Sequence, residues 1–161
     1  MKKKGYFFIK RLFLFLSPFS LLGFIYLYVD PFKVIWNYKT FYDTADQYVF
    51  INRDYQSTEL FLQNYPNQKY DSYIFGNSGS LAFKARDYAK FVNSKAVFHF
   101  DADLESLYGI HKKILFLDKM DVSLKNCLIV LDFYSLFVKY NRREHLFVKH
   151  YLLSGESKVS F

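Results

Sequence analysis

Hydrophobic and polar positions divide the chain into one long apolar run and, further on, short apolar runs alternating with amphipathic stretches. The long run, Leu12–Val29 (LFLFLSPFSLLGFIYLYV), contains no charged residue. At 1.5 Å per residue, about 18 such residues are just enough to cross the hydrocarbon core of a bilayer. Pro18 and Gly23 are tolerable in a membrane helix, with a kink expected at Pro18. Asp30–Tyr48 is rich in aromatics and shows no period. Asp54–Tyr65 (DYQSTELFLQNY) then predicts a helix, with Asp54 as N-cap and Pro66 closing it.

From Tyr70 the pattern alternates. Ser72–Phe75 predicts a strand that runs into a glycine-serine turn. Leu81–Phe91 predicts a helix with Leu81, Ala85, Tyr88 and Ala89 towards the sheet, and Ala96–Phe100 (AVFHF) a second strand. Leu104–Met120 is the best helix. Leu104, Leu107, Tyr108, His111, Leu115 and Asp118 recur at three- and four-residue steps, joined by Ile114. Asp101 and Asp103 are expected to cap its start. Cys127–Leu131 (CLIVL) predicts a third strand, apolar on both faces, as a strand covered on both sides should be.

Strand, helix, strand, helix, strand implies right-handed crossovers and a doubly wound α/β fold with a parallel sheet. In such sheets ligands bind beyond the carboxyl ends of the strands, near the switch in strand order. Three segments end there: Gly76–Ser80, His99–Asp103 and Asp132–Ser135. If the order is 2-1-3, Ser78 lies between the other two.

Charge changes the picture at the N-terminus. Of 22 basic residues, five (Lys2, Lys3, Lys4, Lys10 and Arg11) precede the apolar run, and no acidic residue precedes Asp30. The remainder holds 17 basic and 15 acidic residues, a net of only +2, so the total of +7 does not describe a nucleic-acid-binding domain. Basic residues before the run and Asp30 after it predict a cytoplasmic segment 1–11, a transmembrane helix 12–29, a stalk and linker helix 30–69 and an exported domain 70–161. The run is longer than a usual signal-peptide core, and "YLYVDPF" has no small-x-small cleavage site. Cys127 is the sole cysteine, with a buried inert thiol expected. An exported domain without disulfides fits a bacterial inner membrane, single-pass, with the domain on the periplasmic or extracellular side.

The blocks "YIFGNSGS", "VFHFDADLESLYGIHKKILFLDK" and "LIVLD", following an anchor, resemble the SGNH/GDSL hydrolase superfamily, most of all its membrane-anchored bacterial envelope members. The likeness covers Tyr70–Asp132. It implies a flavodoxin-like three-layer domain, here only its N-terminal part, and an acyl-ester hydrolase or acyl transferase of envelope polysaccharide. Ser78 would be the nucleophile, with its backbone N–H in the oxyanion hole and Gly76 permitting the turn. Asn77, Gly79, Asp101 and Asp132 would line the rim, with no metal and no cofactor.

The chain departs from that pattern in four places. Asn77 stands where the family usually has Asp. The second block lacks a glycine before Gly109, Asp132 occupies the neighbourhood of an expected asparagine, and no Asp-x-x-His follows. A serine hydroxyl without a base in reach is a poor nucleophile. His99 reads as a core or edge residue and His111 as packed against the sheet. His145 and His150 lie beyond the third strand, where Glu144–His145 could reach the site. These departures and the short sheet read as a chain that is incomplete or inactive. The alternative function is therefore a non-catalytic membrane-anchored structural or interaction module, with bilayer and cell-surface polysaccharide as partners. Gly76 and Gly79 would then only relax a turn, and Ser78 or Ser80 cap the next helix.

Overall fold

The computed structural model describes residues 2–31, 35–36, 51–140 and 147–157. They fall into two compact units, Met1–Val49 and Phe50–Phe161.

The first unit holds helix α1, Lys2–Val29. Its Phe7–Val29 stretch is long and apolar enough to cross a membrane, and none of it is buried by the rest of the chain. Such a helix near an N-terminus fits an anchor and a signal sequence alike. Pro18 has no N–H for the carbonyl of Leu14, and the hydroxyl of Ser17 donates to that carbonyl instead, at 2.9 Å. At the helix end Asp30 adopts a left-handed φ of 41°, and its buried carboxylate accepts the N–H groups of Ile35 (2.9 Å) and Trp36 (3.0 Å). The Trp36 indole N–H donates to Leu27 O at 2.9 Å. Most of the expected stalk lies outside the described residues.

The second unit is mixed α/β. Its elements run α2 (Arg53–Gln68), β1 (Ser72–Gly76), α3 (Ala85–Phe91), β2 (Val97–Asp101), α4 (Leu107–Lys119), β3 (Asn126–Val130) and α5 (Tyr151–Ser154). The strands form a parallel sheet in the order β2-β1-β3. Ser72 pairs in register with Val97 and Asn126, and Gly76 with Asp101 and Val130. Every residue of the central strand β1 is buried. Phe61 of α2 fills the centre of the core, with ring centroids 5.3 Å from Phe98, 5.7 Å from Phe100, 5.9 Å from Phe116 and 6.2 Å from Tyr73. Much of the aromatic content of the domain is thus core packing.

Several local expectations need correction. Helix α2 is capped by Asn52, whose Oδ1 accepts the Tyr55 N–H, while Asp54 lies buried in the first turn. Pro66 sits inside the last turn, and the helix continues to a left-handed cap at Lys69. The segment Leu81–Phe91 is not one helix: a 3₁₀ turn, Ser78–Ala82, precedes α3. Ser106, not Asp101 or Asp103, caps α4 through its hydroxyl to the Gly109 N–H. The buried face of α4 carries Gly109, Ile110, Lys113, Phe116 and Leu117. His111, Leu115 and Asp118 are exposed instead. The apolar count missed this phase because a lysine lies on the buried face.

Strand β3 is only half covered. Cys127 and Ile129 are exposed, so the expectation of a strand buried on both faces and of a buried thiol fails. Among the described residues β3 is a sheet edge that pairs with β1 alone.

Candidate functional site

The carboxyl end of β1 is shaped by Gly76. Its φ of 153° is one that L side chains rarely adopt, and a Cβ there would lie 2.7 Å from Val130 O. The chain then turns through Asn77 into the 3₁₀ turn. Asn77 is buried, and its Oδ1 accepts the Gly79 N–H at 2.9 Å. This cap leaves Ser78 and Gly79 exposed on the rim, while Ser80 is buried. Among the described residues no side-chain hydrogen bond engages the Ser78 hydroxyl.

The second rim segment approaches Ser80, not Ser78. His99 Nε2 lies 2.8 Å from Ser80 Oγ, and that hydroxyl also lies 2.7 Å from Asn77 O, to which it donates. A hydroxyl has one proton to give, so with it on Asn77 O the ring nitrogen is the donor to Ser80. Burial pushes the His99 pKa down, against the pull of Asp101. A neutral ring protonated at Nε2 fits this pair, and in that state Nε2 cannot accept a proton. Asp101 is fully buried and paired with Arg53, which also reaches Asp103 at 2.9 Å. Asp101 is therefore withdrawn from the rim where the sequence expected it.

The third segment does reach the turn. Asn77 Nδ2 donates to Asp132 Oδ2, and Asp132 Oδ1 accepts both the N–H and the hydroxyl of Ser135 at 2.8 Å each. The bonds from Ser135, helped by the one from Asn77, hold the Asp132 carboxyl below its ordinary range. This contact gives Asn77 a physical reason. An aspartate at 77 would set two carboxylates face to face, whereas the amide offers a donor to Asp132 and an acceptor to Gly79.

The chain matches no protein-family model, no curated protein and no solved structure.

Of the residues singled out from the sequence, Gly76, Asn77, Ser78, Gly79 and Asp132 meet at the exit of β1. Glu144 and His145 lie outside the described residues. His150 is buried, its Nε2 2.9 Å from Glu59 Oε1. Among the described residues no three metal-ligating side chains gather in one place.

Sequence reasoning missed a buried ionic cluster on the α2/α4 side. Lys149 Nζ donates to Asp54 Oδ2 (2.6 Å) and Glu105 Oε1 (3.0 Å). Lys113 Nζ lies 2.5 Å from Glu105 Oε2 and 3.9 Å from Asp54 Oδ1. It also donates to Asp101 O at 3.1 Å. All four side chains are buried. Burial alone would push Glu105 up, but Lys113 and Lys149 outweigh it and the carboxyl ends below its ordinary range. Gly109 makes the approach possible, since a Cβ there would fall 1.9 Å from Glu105 Oε1 and 2.4 Å from Lys149 Nζ. The signal in the sequence was a glycine inside a helix, a position that usually costs about 1 kcal/mol relative to alanine.

Proposed function

We propose that this chain is a membrane-anchored hydrolase-type module resembling the SGNH/GDSL superfamily, with Ser78 as nucleophile towards acyl esters of envelope polysaccharide. One observation carries the reading: Ser78 is the exposed hydroxyl at the carboxyl end of the central parallel strand, beside a glycine whose backbone no other residue would adopt easily. In the proposed step Ser78 Oγ attacks the ester carbonyl, the bond to the sugar oxygen breaks, and the Ser78 proton passes through solvent to that oxygen, so that the sugar alcohol leaves and an acyl-Ser78 ester remains. Water then releases the acyl group. The basic cluster at residues 2–11 and the apolar α1 support an inner-membrane anchor with the domain on the outer side.

A second reading has its own support. His99 faces Ser80 and Asp132 is engaged by Asn77 and Ser135, so neither is placed to take the Ser78 proton. This favours an anchored interaction module that keeps the turn without the chemistry. The test is fluorophosphonate labelling of the full chain in membranes. Labelling that Ser78→Ala abolishes supports the hydrolase. A folded chain that takes up no probe leaves the interaction module.

A further inference from the structure

Helix α1 ends in a hook built from Asp30 and Trp36. The last carbonyls of a helix find no donor further along the same helix. Here Tyr26 O accepts the Asp30 N–H and Leu27 O accepts the Trp36 indole N–H, each at 2.9 Å. That indole belongs to a residue nine positions beyond the carbonyl it caps. It is brought back by the Asp30 carboxylate, which is 1% exposed and accepts the N–H groups of both Ile35 and Trp36. The left-handed φ of 41° at Asp30 begins the reversal.

Water caps such a carbonyl freely, so in solution no side chain is needed there. At the edge of hydrocarbon no water serves, and an unpaired carbonyl is costly. The position of the hook agrees with that edge. Leu27 stands about 23 Å along the axis from Leu12, where the uncharged run begins after Arg11, against a hydrocarbon core about 30 Å thick. Tyr26, Tyr28 and Trp36 are 41, 88 and 56% exposed at this end, and their ring types favour the headgroup boundary. Recognition by such amphipathic rings does not require lipid charge. We propose that Asp30 and Trp36 form an interfacial cap, which seats the indole among phospholipid headgroups and sets the depth of α1 in the bilayer. The proposal rests on α1 being an anchor and is independent of the chemistry at Ser78.

The experiment uses the full chain reconstituted in phosphatidylcholine vesicles, with Trp36, the only tryptophan, as its own probe. Lipid brominated near the headgroup end of its acyl chains is compared with lipid brominated near the methyl end. The expected result is blue-shifted emission, quenched more by the shallow bromines than by the deep ones and little quenched by aqueous iodide. Asp30→Gly keeps a left-handed turn without the acceptor and should weaken the shallow quenching at least about twofold. Asp30→Asn, which retains an acceptor, should restore most of it. A chain that floats with the vesicles but emits to the red and is open to iodide overturns the cap and leaves the anchor standing. Stronger quenching by the deep bromines, or shallow quenching that Asp30→Gly leaves unchanged or Asp30→Asn fails to restore, overturns the cap too. A chain that does not float overturns the anchor, and the cap with it.

Discussion

Replacing Lys149 with methionine is the sharpest test of how the second unit is held together. The cluster contains two carboxylates, Asp54 and Glu105, and two ammoniums, Lys113 and Lys149, all buried and within 4 Å of a partner of opposite sign. Lys149→Met removes one positive charge and leaves two carboxylates sharing Lys113. Removing one partner of a buried ionic group costs about 3–5 kcal/mol, because the remaining charge stays desolvated. The methionine methylenes occupy the lysine stem and return about 1 kcal/mol, for a net loss of about 3 kcal/mol. With a urea slope of about 2 kcal/mol/M, the midpoint falls by about 1.5 M. The assay is urea unfolding of the full chain in detergent micelles, read by near-ultraviolet circular dichroism of the Phe61 core. Adding Glu105→Gln restores charge balance, and the double variant should recover about half of the loss, a coupling that independent sites do not show. A midpoint shift below about 0.5 M for Lys149→Met, or additive effects in the pair, refutes the argument.

Four further outcomes follow from the same geometry. Gly109→Ala should destabilise despite alanine's better helix propensity, because its Cβ would run into Glu105 Oε1 and Lys149 Nζ, as urea midpoints will show. Gly76→Ala should lose roughly 2–4 kcal/mol from the positive φ and the contact with Val130 O, read from the same midpoints. Asn77→Asp should destabilise at neutral pH and be partly rescued by Asp132→Asn, whereas Asp132→Asn on its own should not stabilise. For pH, His99 is held below its ordinary 6.5 by burial, so the unfolded chain binds the extra proton first and stability falls as pH drops below about 6.5. Glu105, held low by Lys113 and Lys149, and Asp71, just before β1 and held low by hydrogen bonds from Ser94, Lys125 and Ser72, add a further loss as the pH falls below about 4.5. His99→Gln should flatten the upper part of that profile in a series of midpoints from pH 7.5 to 4.

The frame of the domain was legible because it is written in periodicity. Strands expected at Ser72–Phe75, Ala96–Phe100 and Cys127–Leu131 appear within one residue of those bounds. The order β2-β1-β3 was only one option there, because crossover rules fix the hand of each connection and not which strand lies at the centre. Gly76 was legible as a turn glycine for the same reason. The ionic cluster was not, since the apolar count on α4 treats Lys113 as a solvent residue, and only the tertiary partners Asp54 and Glu105 make its burial tolerable. The bond between Ser80 and His99 was equally hidden, because it joins the turn after β1 to the middle of β2, which no local pattern connects. The half-open β3 could not be foreseen from CLIVL, where both faces look alike.

The parallel sheet also sets an order of events during synthesis. Ser72 of β1 must wait for Asn126 of β3, 54 residues later (126 − 72), before its second flank is closed. At about 5–20 residues per second that delay is about 3–11 s, during which the most deeply buried strand of the domain has a neighbour on one side at best. A chain that emerges N-terminus first therefore passes through an interval in which β1 is sticky and incomplete. Any factor that shields nascent chains should recognise Tyr73, Ile74 and Phe75 within that interval and release them once β3 has arrived.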